Sequence, residues 1–330
     1  MYDLSHKLKN QVVSVTGASG YIGSALIKKL ESYSLTKIIR ISRKKLTPKN
    51  NIEDWVLDLN EKSSWIKIVS QSDIIIHLSD NTSISVAENN PENSLISTVL
   101  PIINLINIAK ELSSKPRVVF ASTASIYGLT KEFPVDESHD STPITFYDLH
   151  KFFVEQQLKM ASNDNLIDAL SLRLANVYGP SLNESSANDR GILSKVTKMS
   201  FDNINPQVYG NGNYIRDYIY IDDVISAFLY ASVIDYDEIR TKSEIILNVA
   251  SGRGVSVKDV FSLISSEVGK ITGNKLEVKN TPWPSGINEI EKRNFIGSAE
   301  RLKSLSGWAP DVSLEDGVCS LVRHYSKDYI

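Results

Sequence analysis

Short runs of β-branched and other apolar residues alternate along this chain with longer stretches in which apolar positions recur every three or four residues. The runs cover 12–16, 37–42, 73–78, 117–122 and 169–174. Runs of that kind suit strands buried on both faces, and their alternation with helical periodicity predicts parallel βαβ units. The expected fold is therefore α/β, a doubly wound parallel sheet.

The texture changes after Asn176, where Val177-Tyr178-Gly179-Pro180 leads into a polar stretch over 181–190 and Asn211-Gly212-Asn213 adds a turn signal. This places a domain transition there. Residues 1–177, with about 216–240, are assigned to the larger domain, and 178–215 with 241–330 to a smaller α/β domain. The segment 218–231 reads as a strand entering a helix, with Asp222 or Asp223 suited to cap it. Pro282, Pro284 and Gly286 break the later part, which ends in a helical pattern over 314–325.

Composition narrows the function classes. A chain of 330 residues, 42% hydrophobic and 23% charged, has the balance of a folded protein with one large and one smaller domain. A formal net charge of -3 offers no global attraction to polyanions, so a nucleic-acid partner is not expected. Cys319 is the single cysteine, which excludes an internal disulfide and a metal site built on several thiolates; no metal is expected, and a cytoplasmic setting fits. Residues 1–10 carry no apolar run long enough for a signal peptide, and no membrane span is expected later.

The first apolar run enters Gly17-Ala18-Ser19-Gly20-Tyr21-Ile22-Gly23, and helical character follows. The first glycine of such a triplet allows the tight turn, the second lets backbone N–H groups approach a diphosphate, and the third lets the helix pack on the strand. That predicts a dinucleotide site. An acid after the second strand would accept from the ribose hydroxyls of NAD, but Ser42-Arg43-Lys44-Lys45 follows here. Basic residues suit a 2′-phosphate, so NADP is favoured over NAD.

Tyr147 and Lys151 open a helical stretch at a spacing of four, which places phenol and ammonium on one face, one turn apart. A neighbouring cation favours the phenolate and tunes the tyrosine toward proton transfer. The run 118–122 ends in a cluster of hydroxyls at the edge where open parallel sheets bind ligands, and Thr123 is the candidate to bond a reacting carbonyl or alcohol.

With these motifs in order, the sequence resembles the extended short-chain dehydrogenase/reductase family, in its nucleotide-sugar epimerase, dehydratase and reductase branch. The residues that carry the resemblance are Thr16 to Gly23, Ser122-Thr123-Ala124-Ser125-Ile126-Tyr127-Gly128, Tyr147 to Lys151, Arg173 to Pro180 and Arg216 to Asp223. Asn248-Val249-Ala250-Ser251-Gly252 and Gly307-Trp308-Ala309-Pro310 extend it over almost the whole chain. The resemblance implies a Rossmann-type domain in which Gly17, Ser19, Gly20, Tyr21, Ile22 and Gly23 hold the cofactor. It makes Tyr147 the acid-base residue, Lys151 the ligand of the nicotinamide ribose and Thr123 the holder of the sugar oxygen. Asp58 and Leu59 would border the adenine, and Leu78 and Ser79 would line the cofactor's path. Asn176, Arg216 and Arg293 fall on positions that bind the nucleotide diphosphate of the substrate. Family members pair as homodimers through the helices expected over 92–111 and 147–161.

Several positions depart from the family pattern. Ser42 and Arg43 stand where NAD-using members carry an acid, Thr98 stands for the usual asparagine and Pro101 for a common glycine, and Leu78-Ser79-Asp80-Asn81 replaces a run of small residues. Thr98 remains a cofactor-side candidate. His77 is read as a structural residue closing its strand. The dehydratases carry an Asp-Glu pair after the threonine, where Ala124 and Ser125 stand here. Water elimination is thus not expected. The function expected is an NAD(P)-dependent 4-ketoreductase or 4-epimerase of a nucleotide-diphosphate hexose, with the reductase slightly favoured. The alternatives are a short-chain dehydrogenase for a non-nucleotide substrate and a non-catalytic NADP sensor.

Overall fold

Every one of the five apolar runs forms a strand in the computed structural model, which describes residues 3–80, 83–182, 191–236, 239 and 245–329. The strands are β1 (Val12–Thr16), β2 (Lys37–Ser42), β3 (Ile52–Val56), β4 (Ile74–His77), β5 (Arg117–Thr123), β6 (Asp168–Leu174), β7 (Asn176–Tyr178), β8 (Gln207–Tyr209), β9 (Ile215–Tyr220), β10 (Ile246–Val249), β11 (Gly254–Ser256) and β12 (Lys279–Thr281). Seven of them make one sheet in the order β10-β6-β5-β4-β1-β2-β3. All its pairings are parallel. The order reverses between β1 and β4, and the crevice beyond their carboxyl ends is where a doubly wound sheet takes its ligand.

The helices are α1 (Leu4–Leu8), α2 (Tyr21–Leu30), α3 (Lys62–Val69), α4 (Ile84–Asn89), α5 (Pro91–Leu112), α6 (Phe146–Asn163), α7 (Ile192–Phe201), α8 (Ile221–Val233), α9 (Val257–Thr272), α10 (Glu300–Ser306) and α11 (Leu314–Ser326). Two buried clusters flank the sheet. Ile39, Ile75, Val118 and Phe120 pack with Trp65, Ile102, Leu105 and Val154 of α3, α5 and α6. Val13, Val15, Ile76 and Val119 pack with Leu26 and Phe228 of α2 and α8 on the other face. A three-stranded sheet β11-β9-β7 and the pair β12-β8 form the smaller part.

The structure adjusts four expectations. Strand β10, which a boundary at 241 assigns to the smaller unit, pairs with β6 in the main sheet. Strand β3 carries no apolar run because it is an edge strand with polar Glu53 and Asp54, and Asp54 receives buried Arg40 of β2 at 2.6 Å. Asp222 and Asp223 do not cap α8; its N-cap is Tyr220, and both acids lie in the first turn, where they suit the helix dipole. Asp223 instead accepts from the backbone N–H groups of Asp311 and Val312 at 3.0 and 3.2 Å, tying down the C-terminal segment. Finally, α5 has the length and mean hydropathy, 1.5, to cross a membrane, which the sequence reading did not expect. Here Thr98, Val99, Ile102, Leu105 and Ile108 are buried, the pattern of a core helix packed on α3 and α6. Part of the polar stretch, 183–190, lies outside the described residues, as does Asn81.

Candidate active site

The glycine turn after β1 is built by close approach. Gly17 has φ +65°, and a Cβ there would stand 2.9 Å from the backbone of Leu78 and Ser79. A Cβ on Gly23 would stand 2.2 Å from the Gly17 carbonyl oxygen, so α2 can begin only because this position is bare. Thr16 Oγ1 joins the two crossing segments, accepting from the N–H groups of Leu78 and Ser79 at 3.2 Å each. Its other partner is His77 Nδ1 at 2.9 Å. His77 is wholly enclosed and burial pushes its imidazole down to about 3, so it is a neutral structural group, as expected. The turn leaves the N-terminus of α2, whose first N–H groups have no partner within the helix, open to an anion.

Thr123 ends β5 and serves as N-cap of the short 3₁₀ turn Ala124–Tyr127, accepting from Ser125 N–H at 3.2 Å. The Thr123 and Ser125 hydroxyls are 2.8 Å apart, and Ser125 donates to Asp148 Oδ1. Thr145, N-cap of α6, donates to the second oxygen of Asp148 at 2.7 Å. Burial raises the Asp148 carboxyl above the usual range, opposed by these hydroxyl donors. Helix α6 then carries Tyr147 and Lys151. The Lys151 ammonium donates to Ala121 O at 2.7 Å, lies 2.8 Å from Asp80 Oδ2 and sits 4.5 Å from the centre of the Phe120 ring. Further along, Glu155 binds Arg173 of β6 at 2.6 Å and accepts from Ser122 at 2.5 Å, which fixes α6 against the sheet.

One cavity of about 510 Å³ gathers Gly17, Gly20, Tyr21, Ile22, Gly23, Leu78, Thr123, Tyr147, Lys151, Asn176 and Arg293 from the sequence-predicted set. That volume suits a bound small molecule. Tyr21 donates through its hydroxyl to Gly179 O at 2.9 Å, closing the edge between α2 and β7. Arg216 is placed differently from the expectation. It is buried behind the wall, donating to the backbone carbonyls of Arg293 and, at 2.7 Å, Glu291, so it holds the segment that presents Arg293. Nor does it pair with Asp217, which accepts from Ser251, Gly252 and Gly297. Burial and the adjacent Arg293 push the Arg216 guanidinium down to about 10. Arg293 is lowered too, chiefly by burial. Of the two guanidiniums only that of Arg293 lines the cavity, where it is placed to meet an anion.

Ser19 adjoins this wall in the turn. Ser42 ends β2, Arg43 and Lys44 follow it, Asp58 and Leu59 follow β3, and none of the five lines the cavity. Ser42 donates to Lys44 O, and Arg43 and Lys44 are exposed. Thr98 is buried and donates to Asp80 Oδ1 at 2.6 Å. Sequence reasoning missed Glu291 and Phe295 on the wall, since a single 3₁₀ turn, Glu289–Lys292, and the irregular chain after it are too short to show periodicity. It also missed Asp148, although Thr145 three residues before it is a capping signal.

These features define a dinucleotide-binding α/β protein with a tyrosine and a lysine at one wall of a ligand cavity. The chain belongs to the NAD dependent epimerase/dehydratase family, whose model matches residues 13–246. It is 28% identical over 317 residues to a putative UDP-glucose 4-epimerase of Methanocaldococcus jannaschii, covering 94% of this chain and 97% of that one. The UDP-glucose 4-epimerase of Thermotoga maritima, solved with UDP-glucose, superposes with a TM-score of 0.82 at 26% identity, covering 96% of this chain and 99% of that one. The Thermus thermophilus UDP-glucose 4-epimerase in complex with NAD has a TM-score of 0.78 at 23% identity, with 96% and 99% covered.

Proposed function

We propose that this enzyme is a 4-epimerase of a uridine-diphosphate hexose. The observation that carries the reading is the convergence of the bare glycine turn, Thr123, Tyr147, Lys151, Asn176 and Arg293 on one cavity. The epimerase names of the relatives move the balance away from a net reductase. The turn Gly17–Gly23 fits a cofactor diphosphate because no side chain fills it and the α2 N-terminus faces it. Bound there, a nicotinamide supplies reversible hydride transfer at the sugar carbon.

The chain's own residues do the rest. Tyr147 takes the proton from the 4-hydroxyl and later returns it, and the positive charge of Lys151 favours the phenolate that does so. Thr123 holds the same oxygen, while Arg293 and Asn176 hold the diphosphate and leave the sugar free to turn between its two faces. Ala124 and Ser125 supply no carboxylate for elimination. Ser42, Arg43 and Lys44 support NADP at the adenosine ribose, and Asp58 and Leu59 the adenine edge.

Tyr147→Phe is expected to keep its fold and its nicotinamide affinity yet lose turnover by at least about a hundredfold. NMR of UDP-glucose or UDP-N-acetylglucosamine incubated with enzyme should show the 4-epimer accumulating without net change in cofactor absorbance. Stoichiometric loss of reduced cofactor on a 4-keto sugar, with no epimer formed, would move the assignment to the reductase. For the cofactor, Arg43→Ala with Lys44→Ala should weaken NADP about tenfold and leave NAD nearly unchanged, as expected for losing exposed charge-assisted contacts to a phosphate. Calorimetry with each dinucleotide measures this.

A further inference from the structure

Two of the positions at which the sequence departs from its family meet in space. Asp80 follows β4 and Thr98 lies in α5, and Thr98 Oγ1 donates to Asp80 Oδ1 at 2.6 Å. The second oxygen, Oδ2, lies 2.8 Å from Lys151 Nζ, and the side chains of lysine and aspartate are only 4% and 2% exposed. The ammonium donates to Ala121 O at 2.7 Å, and the Phe120 ring centre lies 4.5 Å from it. Lys151 lines the cavity, whereas Asp80 stands behind it. An ion pair so enclosed is poorly screened by solvent, so the carboxylate offsets much of the field that the lysine projects into the site.

We propose that Asp80, clamped by Thr98, is a positioning residue that fixes the Lys151 ammonium and attenuates its pull on the Tyr147 proton. The proposal rests on the reading above in which Tyr147 handles the sugar proton. The charged and titratable neighbours are few. On the β4 side His77 is neutral, and it feels Lys151. On α6, His150 is held below its usual range by burial while Asp80 and Glu88 oppose that shift. From the segment after the 3₁₀ turn Glu289–Lys292, Arg293 acts on Tyr147 and Asp148 from the other side of the cavity. None of these replaces a carboxylate in contact with the ammonium. With Asp80 removed, Lys151 acts as an uncompensated cation and the phenolate is reached at lower pH.

The test is a pH titration of tyrosinate absorbance in the cofactor-free protein, taken as the difference between each enzyme and its Tyr147→Phe counterpart. In Asp80→Asn the midpoint is expected to fall by about one pH unit, the usual scale for one opposed charge at contact range. The acid limb of kcat/KM should fall with it, and Asp80→Glu should restore the wild-type position. An unmoved midpoint in a folded Asp80→Asn overturns the proposal, even where turnover changes. Asp80→Ala is the second variant, and failure of both to fold would make Asp80 a structural residue and overturn the proposal as well. Absence of turnover by the wild type on any nucleotide sugar would remove the functional reading, while the titration would still decide the role of Asp80.

Discussion

At the scale of single residues the site is governed by what burial does to charge and by where a methyl group cannot go. His77 is enclosed and its imidazole is depressed to about 3, so the folded state holds it neutral while the unfolded chain protonates it near its ordinary value, about 6.5. The unfolded state therefore binds the extra proton first. The stability contributed is fully present above about 6.5 and is lost as pH falls from there toward about 3. Urea midpoints should fall over that window in the wild type, and His77→Gln should lack this part of the fall. Gly23 is a different kind of constraint. Its Cβ would meet Gly17 O at 2.2 Å, so Gly23→Ala must displace the turn or the helix. Loss of dinucleotide binding beyond the sensitivity of calorimetry is expected, with secondary structure by circular dichroism largely retained.

At the scale of elements, α6 is the part on which the chemistry hangs. Tyr147, Lys151 and Glu155 recur every four residues, the last two facing the sheet, and the buried Glu155 to Arg173 pair fixes the helix to β6. Removing one partner leaves the other charged and enclosed, so Glu155→Ala should cost about 3–5 kcal/mol in denaturant unfolding. How much of this was legible follows from the kind of element. Strands β1, β2, β4, β5 and β6 are buried on both faces and wrote themselves as apolar runs, and their order gave the doubly wound sheet. Edge strand β3 is half-buried over Ile52, Glu53 and Asp54, two of them acidic, and left no such run. Strand β10 has four residues and could be placed in the main sheet only by its pairing with β6. The candidate site was legible where a motif fixes a backbone, as at Gly17–Gly23 or the Tyr147 to Lys151 turn. It was not legible where orientation decides the role. Arg216 lies at the expected position but turns inward to carbonyls, and the contact of Asp80 with Lys151 joins residues far apart in the sequence.

At the scale of the molecule, α5 and α6 pack on each other and present Leu95, Ile96, Ile103, Phe146, Phe153 and Met160 outward, each at least 38% exposed. This apolar face supports the proposal of a homodimer that pairs through these two helices. Ile103→Glu with Phe153→Glu should shift sedimentation from dimer to monomer, and a wild type that sediments as a monomer would refute the pairing. A different consequence comes from the way Arg216 grips the 289–293 segment from β9. In the proposed mechanism the groups at the reacting oxygen, Thr123, Tyr147 and Lys151, are in place by residue 151, whereas the cavity residues assigned to the diphosphate, Asn176 and Arg293, come later in the chain. Since Glu291 and Arg293 are held by their carbonyls on Arg216, and Phe295 by its N–H on Ile215 O at 3.1 Å, substitutions among these three can redraw the contour met by the sugar without loosening the backbone anchors. The choice of sugar can thus drift over generations of sequence change while the reaction it undergoes stays the same.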